Sequence, residues 1–255
     1  MSLYFDTVGR GEDVVWLHGW AMNGTVWRQT AAALADDFCH QLVDLPGHGR
    51  SAPLAGLTLE GMVDALEATF PNPVHVVGWS LGGAVATSWA LRRPDQVRSL
   101  TLVASSPCFA QRDDWQPAMP MRTLQQFAAS LGDDWQGTLR RFINLQTLGS
   151  PSAREQSKTL LAELLLHGEP DQAALREGLD ILRDTDLRTR IAELDVPLLL
   201  QFGDKDTLSP LGAGDWLAQQ RPDAQYVVHK GAAHVPFLSH ADDFIAAQRA
   251  FLSAI

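Results

Sequence analysis

The chain has 255 residues, 45% of them apolar, with 30 acidic and 20 basic side chains and a formal net charge of −10. That is enough for one sizeable hydrophobic core, and α/β domains of this length are often single. So acidic a surface repels phosphate backbones and argues against general nucleic-acid binding, and no stretch approaches the roughly 20 apolar residues of a membrane span.

The amino-terminal MSLYFDTVGRGED has acids and glycines where a secretory signal needs a continuous apolar run. Cys39 and Cys108 are far apart and lack metal-ligand or CxxC spacing, which suits a reducing compartment without a disulfide framework. Cys108 reads as a buried, inert thiol rather than a nucleophile. The expectation is a soluble cytoplasmic monomer.

In chain order, the first predicted strand is Val14–Leu17, followed by the turn His18-Gly19-Trp20-Ala21 and a helix over about 24–35. A second strand, Gln41–Leu45, precedes a helix over about 58–69. The third, Val74–Trp79, runs directly into Ser80 and a helix over about 81–93; the fourth is Ser99–Ala104. Pro197–Phe202, a helix over about 209–220, Gln225–Val228 and a helix over about 240–253 complete the pattern. Short buried strands alternating with helices imply a mostly parallel sheet covered on both faces.

From about Phe109 to Arg190 no strand is predicted, only the helical stretches Met121–Leu131, Trp135–Leu148, Ala153–Leu166 and Gln172–Leu182. Prolines and glycines punctuate them. Residues 109–190 therefore read as a helical cap inserted in a core formed by 1–108 and 191–255. Such a cap should sit over the carboxyl edge of the sheet, where open α/β folds place ligands.

Gly78-Trp79-Ser80-Leu81-Gly82 is a G-x-S-x-G sequence between a strand and a helix, the context in which it means a nucleophile elbow. So tight a turn leaves no room for side chains at 78 and 82. Ser80 is the candidate nucleophile. Backbone N–H groups of Trp20 and Leu81 are the candidate oxyanion hole, with His18 a structural imidazole bonded to loop backbone. A serine hydroxyl needs a base and an orienting carboxylate, in the order Ser, Asp or Glu, His. Asp206 is preferred over Asp204, which directly follows Gly203 and reads as a solvated turn residue. His234 follows the small residues Gly231, Ala232 and Ala233 and is preferred over His240, which opens the last helix. His40, His48, His75, His167 and His229 read as surface or packing residues. No cofactor is required, and no His cluster suggests a metal.

His18-Gly19-Trp20, Asp44-Leu45-Pro46-Gly47-His48-Gly49-Arg50-Ser51, Gly78–Gly83 and the Asp206 and His234 loops together resemble the α/β-hydrolase family. Ala104–Phe109, Arg141–Thr147 and Gly178–Leu182 leading to Thr185–Arg188 are similar, more narrowly, to the bacterial pimeloyl-[acyl-carrier protein] methyl ester esterases. The pattern departs at Ser209, where an apolar residue is expected, and at His48, where another aromatic is expected before Gly49. The resemblance implies hydrolysis of a methyl ester at the end of a pimeloyl chain on acyl-carrier protein, releasing methanol and a free carboxylate for biotin synthesis. It also implies that Trp20, Ser80, Leu81, Phe142, Ile143, Asn144, Leu145, Gln146 and His234 line the substrate site. Without it, Phe142 and Leu145 read as cap packing. Residues 140–158 carry four cations against Glu155, a basic stretch in an acidic chain. With the resemblance, Arg141, Arg154 and Lys158 become candidates for docking the acidic carrier. A general carboxylesterase or thioesterase, a C–C hydrolase or lyase, and a ligand receptor on the same scaffold are the alternatives.

Overall fold

The computed structural model describes residues 3–255. Its strands are β1 (Phe5–Gly9), β2 (Glu12–Leu17), β3 (Phe38–Val43), β4 (Val74–Trp79), β5 (Val97–Val103), β6 (Leu198–Gly203) and β7 (Gln225–His229). They form one sheet in the order β1-β3-β2-β4-β5-β6-β7, parallel throughout except for β1 against β3. β4 and β6 are buried at every residue, as expected for inner parallel strands covered on both faces.

Three differences from the sequence-based expectation have local causes. The edge strand β1, FDTVG, was not predicted, because Asp6 and Thr7 interrupt its apolar residues and none of the five is fully buried. β3 spans Phe38–Val43 rather than Gln41–Leu45. The chain leaves the sheet at Asp44, whose buried carboxylate accepts the N–H groups of Gly24 (2.7 Å) and Arg50 (2.9 Å). The helix expected over 24–35 divides into a 3₁₀ turn, Gly24–Trp27, capped by Asn23, and α1 (Arg28–Leu34).

The remaining core helices are α2 (Leu59–Thr69), α3 (Leu81–Arg92), α8 (Leu211–Gln220), α9 (Pro236–Ser239) and α10 (Ala241–Leu252). α10 matches the helix expected over about 240–253, and the unpredicted α9 is a single turn before it, set apart where His240 leaves helical geometry at φ −134°, ψ 47°. Between β5 and β6 lie α4 (Met121–Asp133), α5 (Trp135–Thr147), α6 (Ala153–Leu165) and α7 (Gln172–Asp184). The two segments leading into and out of this block pair with one another through a Cys108–Asp186 bridge and the Leu187 N–H to Pro107 carbonyl bond of 2.8 Å.

Beneath the sheet's carboxyl edge Trp27 packs on Phe237 (4.4 Å between centroids) and Trp16 (4.9 Å), and Phe237 meets Trp79 at 5.1 Å. Such aromatic pairs stabilise by about 0.5–1.5 kcal/mol each beyond their buried area. They give the loops above them a rigid floor.

His229, at the end of β7, donates from Nε2 to Gln201 Oε1 at 3.0 Å in a buried chain that continues through Gln248 to Thr101. Burial, reinforced by His240, pushes its pKa down from 6.5 to about 4. The unfolded chain therefore takes up this proton first. The resulting stability is complete above pH 6.5 and falls by up to about 3 kcal/mol as pH drops toward 4. Urea midpoints measured across that window should slope downward with acidity, and His229→Gln should flatten the slope. An unchanged slope in the variant would refute the assignment.

Candidate active site

The register of the parallel strands brings five loop starts together. Gly78 of β4 lies beside Leu17 of β2 and Leu102 of β5, so the residues after each strand meet at one edge. Ser80 sits at the tip of the β4–α3 turn with φ 55° and ψ −120°, a strained conformation for a residue with a side chain. The turn is this tight because backbone touches backbone. A Cβ at Gly78 would strike the Gly82 carbonyl, and one at Gly82 would lie 2.6 Å from the His18 carbonyl. The Ser80 N–H is held by the Val103 carbonyl at 3.1 Å.

His234 and Asp206 are joined at 2.7 Å, Nδ1 to Oδ2, with both side chains wholly buried. Asp206 Oδ1 accepts the N–H groups of Leu208 (2.8 Å) and Ser209 (3.0 Å), which orients the carboxylate. The bond to Asp206 puts the imidazole proton on Nδ1, so Nε2 carries a lone pair. That Nε2 is buried without a hydrogen-bond partner, and it makes no bond to Ser80 Oγ. The His234 backbone is fixed from both sides. Its carbonyl accepts the Trp79 indole N–H at 2.9 Å, and its N–H donates to the Gln146 carbonyl of α5 at 2.9 Å. The Trp79 and His234 rings lie 5.6 Å apart, which seats the imidazole beside the neighbour of Ser80.

The Trp20 and Leu81 N–H groups have no acceptor among the described residues. Leu81 opens α3, where the helix dipole and unpaired N–H groups favour negative charge. His18 donates from Nδ1 to the Gly19 carbonyl (2.8 Å) and accepts the Leu45 N–H at Nε2 (3.0 Å). Burial, with His48 beside it, holds its pKa well below the usual histidine value.

The structure separates the rivals. Asp204 accepts the Gly231 N–H at 2.6 Å and pairs with Lys205, so it braces the His234 loop instead of meeting the imidazole. His240 contacts Ser239 Oγ and the Lys230 carbonyl. His40, His48, His75 and His229 are buried packing residues, and His167 is half-buried. Ser209, the unexpected polar residue, is buried with its hydroxyl unpartnered.

Helices α5 and α7 cover this edge. Trp20 is fully buried, its indole N–H donating to the Leu175 carbonyl of α7 at 2.8 Å and its ring meeting Phe142 of α5 edge-on at 4.7 Å. Gln146 is buried with Oε1 unpartnered. Asn144 and Leu145 do not join Phe142 there. Asn144 is exposed, and both line an outer groove of about 570 Å³ with Phe127, Arg141 and Leu148. Five consecutive residues of a helix cannot share one face; Ile143 is buried in the apolar core. Arg141, Arg154 and Lys158 are all exposed; Arg141 pairs loosely with Asp134 at 3.7 Å, while Arg154 and Lys158 have no ion-pair partner among the described residues.

Sequence reasoning overlooked the role of Gly178. It lies in the middle of α7, and a Cβ there would sit 2.8 Å from Trp20 Cδ1. A glycine inside an otherwise good helix was the available signal, since it costs about 1 kcal/mol relative to alanine.

A family described by the alpha/beta hydrolase fold matches residues 14–241. A pimeloyl-[acyl-carrier protein] methyl ester esterase of Chromobacterium violaceum is 44% identical over 247 residues, spanning 97% of this chain and 96% of its own. Proteins of the same name from Serratia marcescens (43%; 99% of each chain) and Aliivibrio fischeri (40%; 99% and 98%) are similar. An esterase structure from Exiguobacterium antarcticum superposes with a TM-score of 0.89 at 22% identity over 98% of this chain and 95% of that one, a likeness of fold alone.

Gly178→Ala should lower stability by about 1–3 kcal/mol through overpacking against Trp20, despite alanine's better helix propensity. Denaturant midpoints decide the matter; a gain in stability would mean the contact has slack.

Proposed function

The chain belongs to the α/β-hydrolase family, and from that premise we propose that it is a serine carboxylesterase cleaving the methyl ester of pimeloyl-[acyl-carrier protein]. The observation that carries the chemistry is the buried Asp206–His234 pair at 2.7 Å beside the strained Ser80 turn. The esterases named above, alike over nearly their whole length, support the substrate.

In this reading Ser80 Oγ attacks the ester carbonyl while His234 Nε2 takes its proton. Asp206 stabilises the imidazolium and keeps its tautomer. The carbonyl oxygen, now negative, accepts the N–H groups of Trp20 and Leu81. Collapse breaks the bond to the methoxy oxygen, which leaves as methanol with the proton from His234. Water, deprotonated by the same imidazole, then attacks the acyl-enzyme and frees the carboxylate. The bond between Ser80 and His234 is absent in the resting structure; it forms as substrate seats, since catalytic hydrogen bonds often tighten only in the complex.

Residues 109–190 act as a lid. Trp20 and Phe142 form the apolar wall for the acyl chain, and the Gln146 amide is a buried polar anchor. Since Ser80 and His234 are buried, the lid must yield to admit substrate. Arg141 on α5, with Arg154 and Lys158 one turn apart on α6, offers a basic face to an acidic carrier and its phosphorylated arm.

A burst of p-nitrophenol from a short ester should appear with the native protein and vanish in Ser80→Ala, with turnover down by about 10⁴-fold or more. A surviving burst would reject Ser80 as nucleophile. Expression in a biotin-requiring bacterial strain lacking its own esterase should restore growth; abundant folded protein without rescue would remove the substrate assignment but leave the ester chemistry.

Charge reversal at Arg141 and Arg154 should raise KM for the carrier-bound ester while sparing a short free ester. Equal effects on the two substrates would reject the docking face.

A further inference from the structure

The Trp20 and Leu81 N–H groups belong to the backbone, so their aim depends on how two peptide planes are held. In a trans peptide the C=O and the following N–H lie in one plane and point in opposite directions; no cis bond occurs among the described residues. Whatever holds the Gly19 carbonyl therefore aims the Trp20 N–H, and whatever holds the Ser80 carbonyl aims that of Leu81.

Both carbonyls are gripped by a buried side chain. His18 Nδ1–H donates to Gly19 O at 2.8 Å. The Leu45 N–H occupies the other ring nitrogen, so the donor must be Nδ1. Ser105 Oγ–H donates to Ser80 O at 2.9 Å. The two residues follow β2 and β5, the strands on either side of β4. Turn bonds from Met22 (3.2 Å) to the Gly19 carbonyl, and from Gly83 (2.9 Å) and Ala84 (3.4 Å) to that of Ser80, reach the same two oxygens. Gly19 packs closely here: a Cβ would lie 3.1 Å from the Trp79 ring and 3.2 Å from Ser80 Cβ, tighter than ordinary contact. Ala21 beyond it already adopts φ 65°.

We infer that His18 and Ser105 are paired positioning residues, each clamping the carbonyl of the peptide whose N–H binds the reacting oxygen. This rests on the esterase reading and adds to it the means by which the oxyanion hole is preformed. It also gives a role to the Ala104–Phe109 segment, which the triad leaves unexplained.

The test compares kcat and KM on a p-nitrophenyl ester with binding of an alkyl trifluoromethyl ketone, whose adduct on Ser80 carries a negative oxygen, and of the matching methyl ketone. His18→Gln and Ser105→Ala should each lower kcat about tenfold at nearly constant KM, weakening the trifluoromethyl ketone in proportion but not the methyl ketone. His18→Asn, whose amide nitrogen stands near the position of Nδ1, should keep most of the rate although it loses the Leu45 bond. The double variant His18→Gln with Ser105→Ala should lose about 100-fold, because the two clamps act on separate donors.

Variants that keep kcat, that lose both ketones equally, or in which His18→Asn is as slow as His18→Gln would overturn the clamps. Ser105→Ala removes a single oxygen and carries the test even where a His18 variant does not fold. Native protein without Ser80-dependent turnover overturns the esterase reading itself, and the clamps with it.

Discussion

Everything at this site depends on the chain turning from strand to helix within one residue. Ser80 holds φ 55° and ψ −120°, which costs on the order of 1–3 kcal/mol and persists only where the surroundings over-determine it. They do so here. β4 is buried along its whole length, the Ser80 N–H is tied to β5, and three glycines at 78, 82 and 83 bring backbone or Ser105 to contact with no room for a methyl group. The strain lifts the hydroxyl clear of the sheet and starts α3 at the next residue. The raised Ser80 hydroxyl and the helix N-terminus are thus products of one turn.

The parallel sheet extends that constraint to residues remote in sequence. Parallel strands all end at the same edge, so loops after β2, β4, β5, β6 and β7 are neighbours although they span most of the chain. Trp20, Ser80, Ser105, Asp206 and His234 come one from each. The contacts between loops are mostly backbone to backbone: Gly203 at the end of β6 abuts the Ala232 and Ala233 carbonyls, with no space for a side chain. Ahead of His234, Gly231 turns the chain at φ 88° with open space beside it. The close approach at Gly203 lets the two loops share one layer, so that a short bond between Asp206 and His234 needs no long side chain to reach it.

The parts of this arrangement that were readable in the sequence are those with a local signature. The strand–serine–helix junction is marked by glycines at fixed offsets, and the inner strands by uninterrupted apolar runs. Asp206 was separable from Asp204 because a residue directly after Gly203 has not yet cleared the strand; the structure puts Asp204 on the Gly231 N–H. The unread parts depend on partners far away. β1 is a strand because β3 lends it hydrogen bonds, not because its own pattern is apolar. Asn144 and Leu145 were grouped with Phe142 by adjacency, whereas the helical turn sends them outward. The grip of Ser105 on Ser80 cannot be inferred from either segment alone, since it arises from the register of β4 on β5.

The helical block between β5 and β6 is fastened to the core through residues of the candidate site. Core groups reach up to it through a few single hydrogen bonds: Trp20 to the Leu175 carbonyl, His234 to that of Gln146, Asn23 to that of Glu163, and the Leu57 N–H to the Glu177 carboxylate at 2.9 Å. Gln146 lies in the last turn of α5, where helical carbonyls lack partners within their own helix, and the Glu163 carbonyl in the last turn of α6 also accepts the Leu166 N–H at 3.3 Å. Water could satisfy such groups if the block lifted as proposed, so each bond contributes only about 1 kcal/mol net. Yet two of the four fasteners are Trp20 and His234 themselves. The contacts of α5 and α7 therefore fix the His234 backbone and the Trp20 indole together. Under the proposed esterase reading, an acyl chain that replaced the Trp20–Phe142 contact would act on both at once, so the groups that recognise the chain would also set the geometry in which it reacts.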